Sequence, residues 1–345
     1  MPCYRFISRC YLITIAVSLW LAPGTWGQVR PELDPAILPY AQEATVAGKF
    51  LVSGSETMRP LIQAWVNDVR RRNPGLKIAV EGSGSETGLS ALLEHRSEVA
   101  AMSRRMTARE IAEFVKEYGF EPTEVPVAVD ALAVFVHRDN PLPGVSLDEL
   151  DAMFCLQRHR GLPYVVDSWG LVGLQDEWFE APINLYGRNG NSGTSYFFRE
   201  EVCKGGTFRP RMVNADGSAS VVMDIMRDRF GIGFSAIGYR TSLVKPLPIA
   251  AVKGGRYVEP TFEQAMNGSY PLRRNLYLYI AHPASLASAQ PVSTLVQFAL
   301  SAQGQQLAVD YGYFPLTVQE IARLRAKWPP SVKAALAPMP SRPTN

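Results

Sequence analysis

Histidine and cysteine are scarce in this chain, four of each in 345 residues. His95, His137, His159 and His282 form no group with cysteine or carboxylate at ligand spacing, so neither a metal nor a cofactor is expected. None of them sits in a partner motif for a nucleophilic serine, which disfavours a serine hydrolase. Charge of one sign is equally lacking. The formal net charge of +3 leaves no strongly basic surface for nucleic acid or an anionic membrane. The one basic run, Arg70-Arg71-Arg72, reads as the last turn of a helix, where cations suit the helix dipole.

Long apolar runs are missing too. Tyr11 to Ala22 is too short for a comfortable membrane span. With Arg5 and Arg9 before it and Gly24-Thr25-Trp26-Gly27 after it, residues 1–27 read as a signal peptide. Cys10 follows Ile7-Ser8-Arg9, a poor lipoprotein cleavage box, so a soluble exported protein is expected. Cleavage leaves Cys155 and Cys203. An oxidising compartment would let them pair, and the sequence leaves their proximity open.

Strands and helices alternate through the rest of the chain, the pattern of an α/β fold. After a Pro-rich lead-in (28–48), Lys49–Val52 reads as a strand. A helix follows from about Met58, with Leu61, Ile62, Trp65, Val66 and Val69 at helical spacing. Lys77–Val80 and Val99–Met102 are further strands, with a helix over Gly88–His95 between them. Thr107 with Glu110, and Ser146 with Glu149, read as helix starts. Val125 to Val136 is a nearly continuous apolar run, as expected of a buried strand that crosses between lobes. Gly161–Glu180 reads as an irregular excursion. Ile183–Tyr186, Gly231–Ser235 and Leu276–Ile280 read as strands. Tyr196–Val202, Ser220–Arg227 and Pro291–Ala302 read as helices, and the Pro-rich end (326–345) as a flexible tail.

The chemistry lies in small-residue loops at strand–helix junctions. Ser-Gly-Ser-Glu-Thr occurs at 53–57 and again at 83–87, and Asn191-Ser192-Gly193-Thr194-Ser195 follows Arg188. The first turn of a helix offers unpaired N–H groups and the positive end of the dipole, so such junctions suit an oxyanion. The lysine of a P-loop is absent from both pentapeptide copies.

Ser55-Glu56-Thr57-Met58, Gly82-Ser83-Gly84-Ser85 and Arg188-Asn189-Gly190-Asn191-Ser192-Gly193-Thr194 resemble the periplasmic phosphate-binding proteins of ABC-type phosphate importers. The likeness continues through Met102-Ser103-Arg104-Arg105-Met106-Thr107, Trp169-Gly170-Leu171, Gly231-Ile232-Gly233-Phe234 and Gly268-Ser269-Tyr270-Pro271. It ends with Ser301-Ala302-Gln303-Gly304-Gln305 and Gly312-Tyr313-Phe314-Pro315-Leu316, and so covers about 50 to 320.

The resemblance implies a two-lobed type II periplasmic-binding-protein (Venus-flytrap) fold with the ligand between the lobes. Residues 49–129 and 251–325 would form one lobe and 130–250 the other. It implies that inorganic phosphate is held by Thr57, Met58, Ser85, Ser103, Arg188, Ser192, Gly193 and Thr194, and passed by a periplasmic monomer to an inner-membrane ABC permease, with no bond made or broken. The sequence departs from the family at two points. Ser103 stands where an aspartate accepts the proton that phosphate carries, and Gly190 stands where a second acid follows the arginine. Glu56 and Glu86 are the candidate replacement acceptors. A binder or sensor of another oxyanion therefore stays open, with a secreted phosphoester hydrolase or a structural surface protein as remoter readings.

Overall fold

A computed structural model of the chain describes residues 31–41, 45–281 and 286–327. The expected signal peptide (1–27), His282 and the end of the chain from 328 lie outside the described residues.

The first half of the chain builds β1 (Gly48–Gly54), α1 (Arg59–Arg72), β2 (Leu76–Val80), α2 (Ser85–Leu93), β3 (Val99–Met102), α3 (Ala108–Tyr118), β4 (Thr123–His137), β5 (Val145–Ser146) and α4 (Leu147–Phe154). The second half builds β6 (Asn184–Arg188), α5 (Gly193–Glu201), β7 (Val213–Ala215), α6 (Ser218–Arg227), β8 (Gly231–Ala236), β9 (Val244–Pro246), β10 (Ile249–Ala250), α7 (Phe262–Met266), β11 (Arg273–Ile280), α8 (Leu286–Ala299), α9 (Ala302–Asp310) and α10 (Val318–Lys327).

The main sheet has the order β2-β1-β3-β11-β4-β8-β6-β7, with β9 also paired to β4. At one end β1 runs parallel to β2 and β3; at the other, β6 runs parallel to β7 and β8. The 15-residue β4 joins the two sets. Its residues 123–131 pair antiparallel with β11, and from Leu132 to Val136 it pairs with β8 instead. The apolar run read as a crossing strand is therefore the seam of the sheet. It is buried from Val127 to Val136, as a strand covered on both faces requires.

Periodicity and capping signals located α1 to α6 and α8, left α7, α9 and α10 unread, and misplaced four of the starts. All five apolar residues named for α1 are buried, and both capping boxes form, at Thr107–Glu110 and Ser146–Glu149. Yet α2 starts at Ser85 rather than Gly88, α5 at Gly193 rather than Tyr196, and α6 at Ser218 rather than Ser220. Those first turns consist of Ser, Gly, Thr and Ala with Glu86, which leave no strong apolar rhythm to read. The helix expected from Pro291 begins earlier, at Leu286, and stops at Ala299. Ser301 then caps a separate helix, its Oγ accepting the Gly304 N–H.

In the irregular stretch, two short 3-10 turns bring Trp169 and Trp178 edge to face at 6.0 Å. Cys155, just past α4, is bonded to Cys203, just past α5, with the Cα atoms 5.8 Å apart. Nearby, Phe198 of α5 stacks on Phe234 of β8 at 3.9 Å, so α5 is held both covalently and by aromatic packing.

Candidate anion-binding site

In both parallel sets the strands feed helices at their C-terminal ends, the edge where open α/β sheets bind ligands. β1 leads through Ser55–Met58 into α1, and β2 leads through Gly84 into α2. β6 ends at Arg188 before Ser192 caps α5, and β7 leads through Gly217 into α6.

These junctions meet. Thr57 Oγ1 lies 3.1 Å from Thr194 Oγ1 and 3.2 Å from Ser218 Oγ. A Cβ built on Gly193 would come within 2.2 Å of Ser85 Oγ and 2.7 Å of Ser103 Oγ, so only glycine allows this approach. Gly84, at φ +140°, likewise backs onto the Asn191 carbonyl, where a Cβ would stand 2.3 Å from the oxygen. Thr57, Met58, Ser85, Ser103, Ser192, Gly193 and Thr194 are all buried. The expected residues are thus brought together from both sides of the seam.

Arg188 is 1% exposed. Its Nη1 donates to Ser218 Oγ at 2.7 Å and lies 2.9 Å from Glu56 Oε2, and its Nη2 donates to the Asp216 carbonyl at 2.9 Å. Burial lowers its pKa and the Glu56 carboxylate works against that; an arginine keeps its charge in either case. Glu56 Oε2 also accepts from the Ser218 N–H at 3.0 Å and from the Ser218 hydroxyl at 3.2 Å. Glu56 therefore gives Arg188 the acidic partner that position 190 lacks. Gly190 itself faces open space, since a Cβ there would meet nothing within 4 Å.

Tyr239 and Tyr313 both donate to the Thr57 carbonyl, at 3.2 and 2.6 Å. Burial raises both phenols well above their ordinary range, so they remain neutral donors that fix the β1–α1 loop.

Glu86 is exposed on the first turn of α2. Its contribution is the backbone N–H, which donates to Asn191 O at 3.4 Å. Of the two candidate acceptors, the structure brings Glu56 to the cage and leaves Glu86 outside.

Three site residues escaped the sequence reading. Ser218 had a readable signal, because Asp216-Gly217-Ser218-Ala219-Ser220 is another small-residue junction, but the three-residue strand before it is too short to announce itself. Asp130 and Arg274 form an ion pair, with Arg274 Nη2 at 2.7 Å from Asp130 Oδ2 and side-chain exposures of 2% and 0%. A lone aspartate in the apolar run of β4 was the available clue, since a buried charge needs a partner. Two buried guanidinium atoms of this region, Arg188 Nε and Arg274 Nη1, have no acceptor among the described residues. Buried donors left so are costly.

The hydroxyls have a common polarity. Ser85 Oγ accepts the Ser103 N–H at 3.1 Å, and Ser192 Oγ accepts the Thr194 N–H at 3.2 Å. Thr194 Oγ1 accepts from Arg274 Nη2 at 3.0 Å, and Ser218 Oγ from Arg188. With a lone pair already engaged, the hydroxyls of Ser85, Ser192 and Thr194 are biased to donate their protons outward, whereas that of Ser218 already donates to Glu56. The arrangement is a set of donors with one carboxylate, Glu56, as the charged acceptor.

A PBP superfamily domain model matches residues 39–303. The chain belongs to the PBP superfamily, in its PstS-like branch. It is 39% identical over 284 residues to the phosphate-binding protein PstS of Pseudomonas aeruginosa, a match covering 82% of this chain and 88% of that protein. Protein SphX of Synechococcus elongatus is 27% identical over 284 residues, 81% of each chain. Among solved structures, an ABC-type phosphate transport receptor from Vibrio cholerae superposes with a TM-score of 0.60 at 21% identity, covering 77% of this chain and all of that one. The PstS-like chain therefore has the two-lobed fold, and β4 carries the crossing between its two parallel sets.

Among the described residues, Asp151, Cys155 and Cys203 form one close group of metal-binding side chains, and its sulfurs are joined in the disulfide.

Proposed function

We propose that this chain is an exported receptor that captures inorganic phosphate between its lobes, 49–129 with 251–325 and 130–250, and delivers it as a monomer to an ABC permease. Membership of the PstS-like branch supports the ligand class. The observation that carries the reading is the buried Arg188 at the meeting point of the helix N-termini, within a shell of hydroxyls biased to donate. A dehydrated oxyanion needs such donors, and each hydrogen bond to its charge contributes roughly 1.5–3 kcal/mol. Arginine adds a planar fork that can grip two oxygens. Two helix dipoles from each lobe point their positive ends inward. The reading involves capture and release, with closure driven by contacts available only when the lobes meet.

Glu56 is the proposed reader of the proton that distinguishes phosphate from sulfate at neutral pH. A carboxylate accepts a hydrogen bond from a protonated oxyanion and repels a fully ionised one. Calorimetry on Glu56→Gln and Glu86→Gln tests this directly. Sulfate should bind measurably to Glu56→Gln alone. If Glu56→Gln still rejects sulfate as the parent does, the carboxylate role is wrong.

A further inference from the structure

We infer that Arg274, anchored by Asp130, is a positioning residue of the anion cage: it holds the Thr194 hydroxyl as a donor toward the ligand and ties that donor to the seam between the lobes. The inference rests on the phosphate reading above and concerns a side chain outside the loop motifs.

Asp130 and Arg274 are paired neighbours on β4 and β11. Asp130 stands two residues before Leu132, where β4 changes partner from β11 to β8. Its Oδ2 accepts Arg274 Nε and Nη2 at 2.9 and 2.7 Å. Its Oδ1 accepts the Ile237 N–H at 3.3 Å, from the turn that follows β8. The ion pair is thus bonded on both sides of the seam. From there Arg274 reaches Thr194 Oγ1 at 3.0 Å, on the first turn of α5. The Phe197 ring lies 5.6 Å from its guanidinium carbon and packs the side chain in place.

The chemistry follows from the hydroxyl inventory. A threonine hydroxyl has one proton and two lone pairs. Once Arg274 occupies a lone pair, the proton is directed away, toward Thr57 Oγ1 or an oxygen of the anion. Because Arg274 comes from β11 and Thr194 from α5, the contact forms only when the lobes are together. Asp130 offsets the charge of Arg274 as Glu56 offsets that of Arg188. A chain lacking Arg274 would keep the Thr194 hydroxyl but lose its direction.

Phosphate titration calorimetry on the full chain tests this through a double-mutant cycle. The Arg274→Gln change is made together with Asp130→Asn, so that no buried charge is left unpaired. It is combined with Thr194→Val, and each protein's unliganded melting temperature is recorded. Each arm is expected to weaken phosphate about tenfold, roughly the worth of one charge-assisted bond. The combined variant should be weakened little further, because both arms remove the same donor. Thr194→Ser, which keeps the hydroxyl, should stay near the parent and remain sensitive to the loss of Arg274. Losses that multiply overturn the inference, as does a near-parental affinity for Arg274→Gln/Asp130→Asn. If that variant does not fold, Arg274→Met with Asp130→Leu, which replaces the ion pair by apolar side chains, takes its place in the cycle with the same two outcomes. A parent chain that fails to bind phosphate overturns the functional reading itself, whereas a binding parent with independent losses overturns the role of Arg274 alone.

Discussion

At the residue scale the decisive contacts are those of Arg188, a 1%-exposed guanidinium held by Ser218, Asp216 and Glu56. Removing a buried, hydrogen-bonded charge costs about 3 kcal/mol or more, so Arg188→Ala should lose at least about 100-fold in phosphate affinity. Arg188→Lys should recover only part of that loss, because an ammonium cannot reproduce the fork that reaches Ser218 and Asp216 together. Calorimetry on the three proteins checks both statements. The sequence pointed to Arg188 through its loop motif, and it raised Glu56 only as an alternative to Glu86. What separates the glutamates is three-dimensional: Ser218, 162 residues along the chain from Glu56, supplies two of its donors. No pattern within the pentapeptides could show that.

At the element scale the site depends on how closely two helix starts approach. Gly193 opens α5 against Ser85 and Ser103, leaving no room for a methyl group. Gly193→Ala should fold, since α5 needs no unusual backbone there, and yet weaken phosphate about tenfold or more through an overpacking cost of about 1–3 kcal/mol. Binding isotherms together with circular dichroism separate those effects. The far end of α5 is held by the Cys155–Cys203 bond, which spans 48 residues. Replacing both cysteines by serine should lower stability by roughly 2–4 kcal/mol in denaturant unfolding, relative to the oxidised parent.

Much of this level was legible in the sequence. The capping boxes at Thr107 and Ser146 and the buried stripe of α1 appear where spacing placed them. The first turns of α2, α5 and α6 were not legible as helix, because they are filled with small and polar residues that lack apolar periodicity. Arg274 was hidden for a different reason. It is a charge at the start of β11, beside Arg273, and only the register with Asp130 shows which of the two is buried.

At the scale of the whole molecule, β4 is the hinge candidate, because its hydrogen-bonding partners change between Ala131 and Leu132. Two parallel sets joined along one long strand can rotate about it. Beyond the cage, the two parallel sets also approach where Arg104, after β3 and paired with Glu110 at 2.6 Å, lies 4.3 Å from the ring centre of Tyr196 on α5. Phosphate should therefore shrink the particle. Small-angle scattering should show a lower radius of gyration with phosphate than without, and Gly193→Ala should show a smaller decrease.

A titration of the purified chain with inorganic phosphate, repeated on Arg188→Ala, bears most directly on the proposed capture of phosphate. Saturable one-to-one binding that collapses at least about 100-fold in the variant is the predicted result. Absence of phosphate binding by the parent, or near-parental binding by Arg188→Ala, would contradict it.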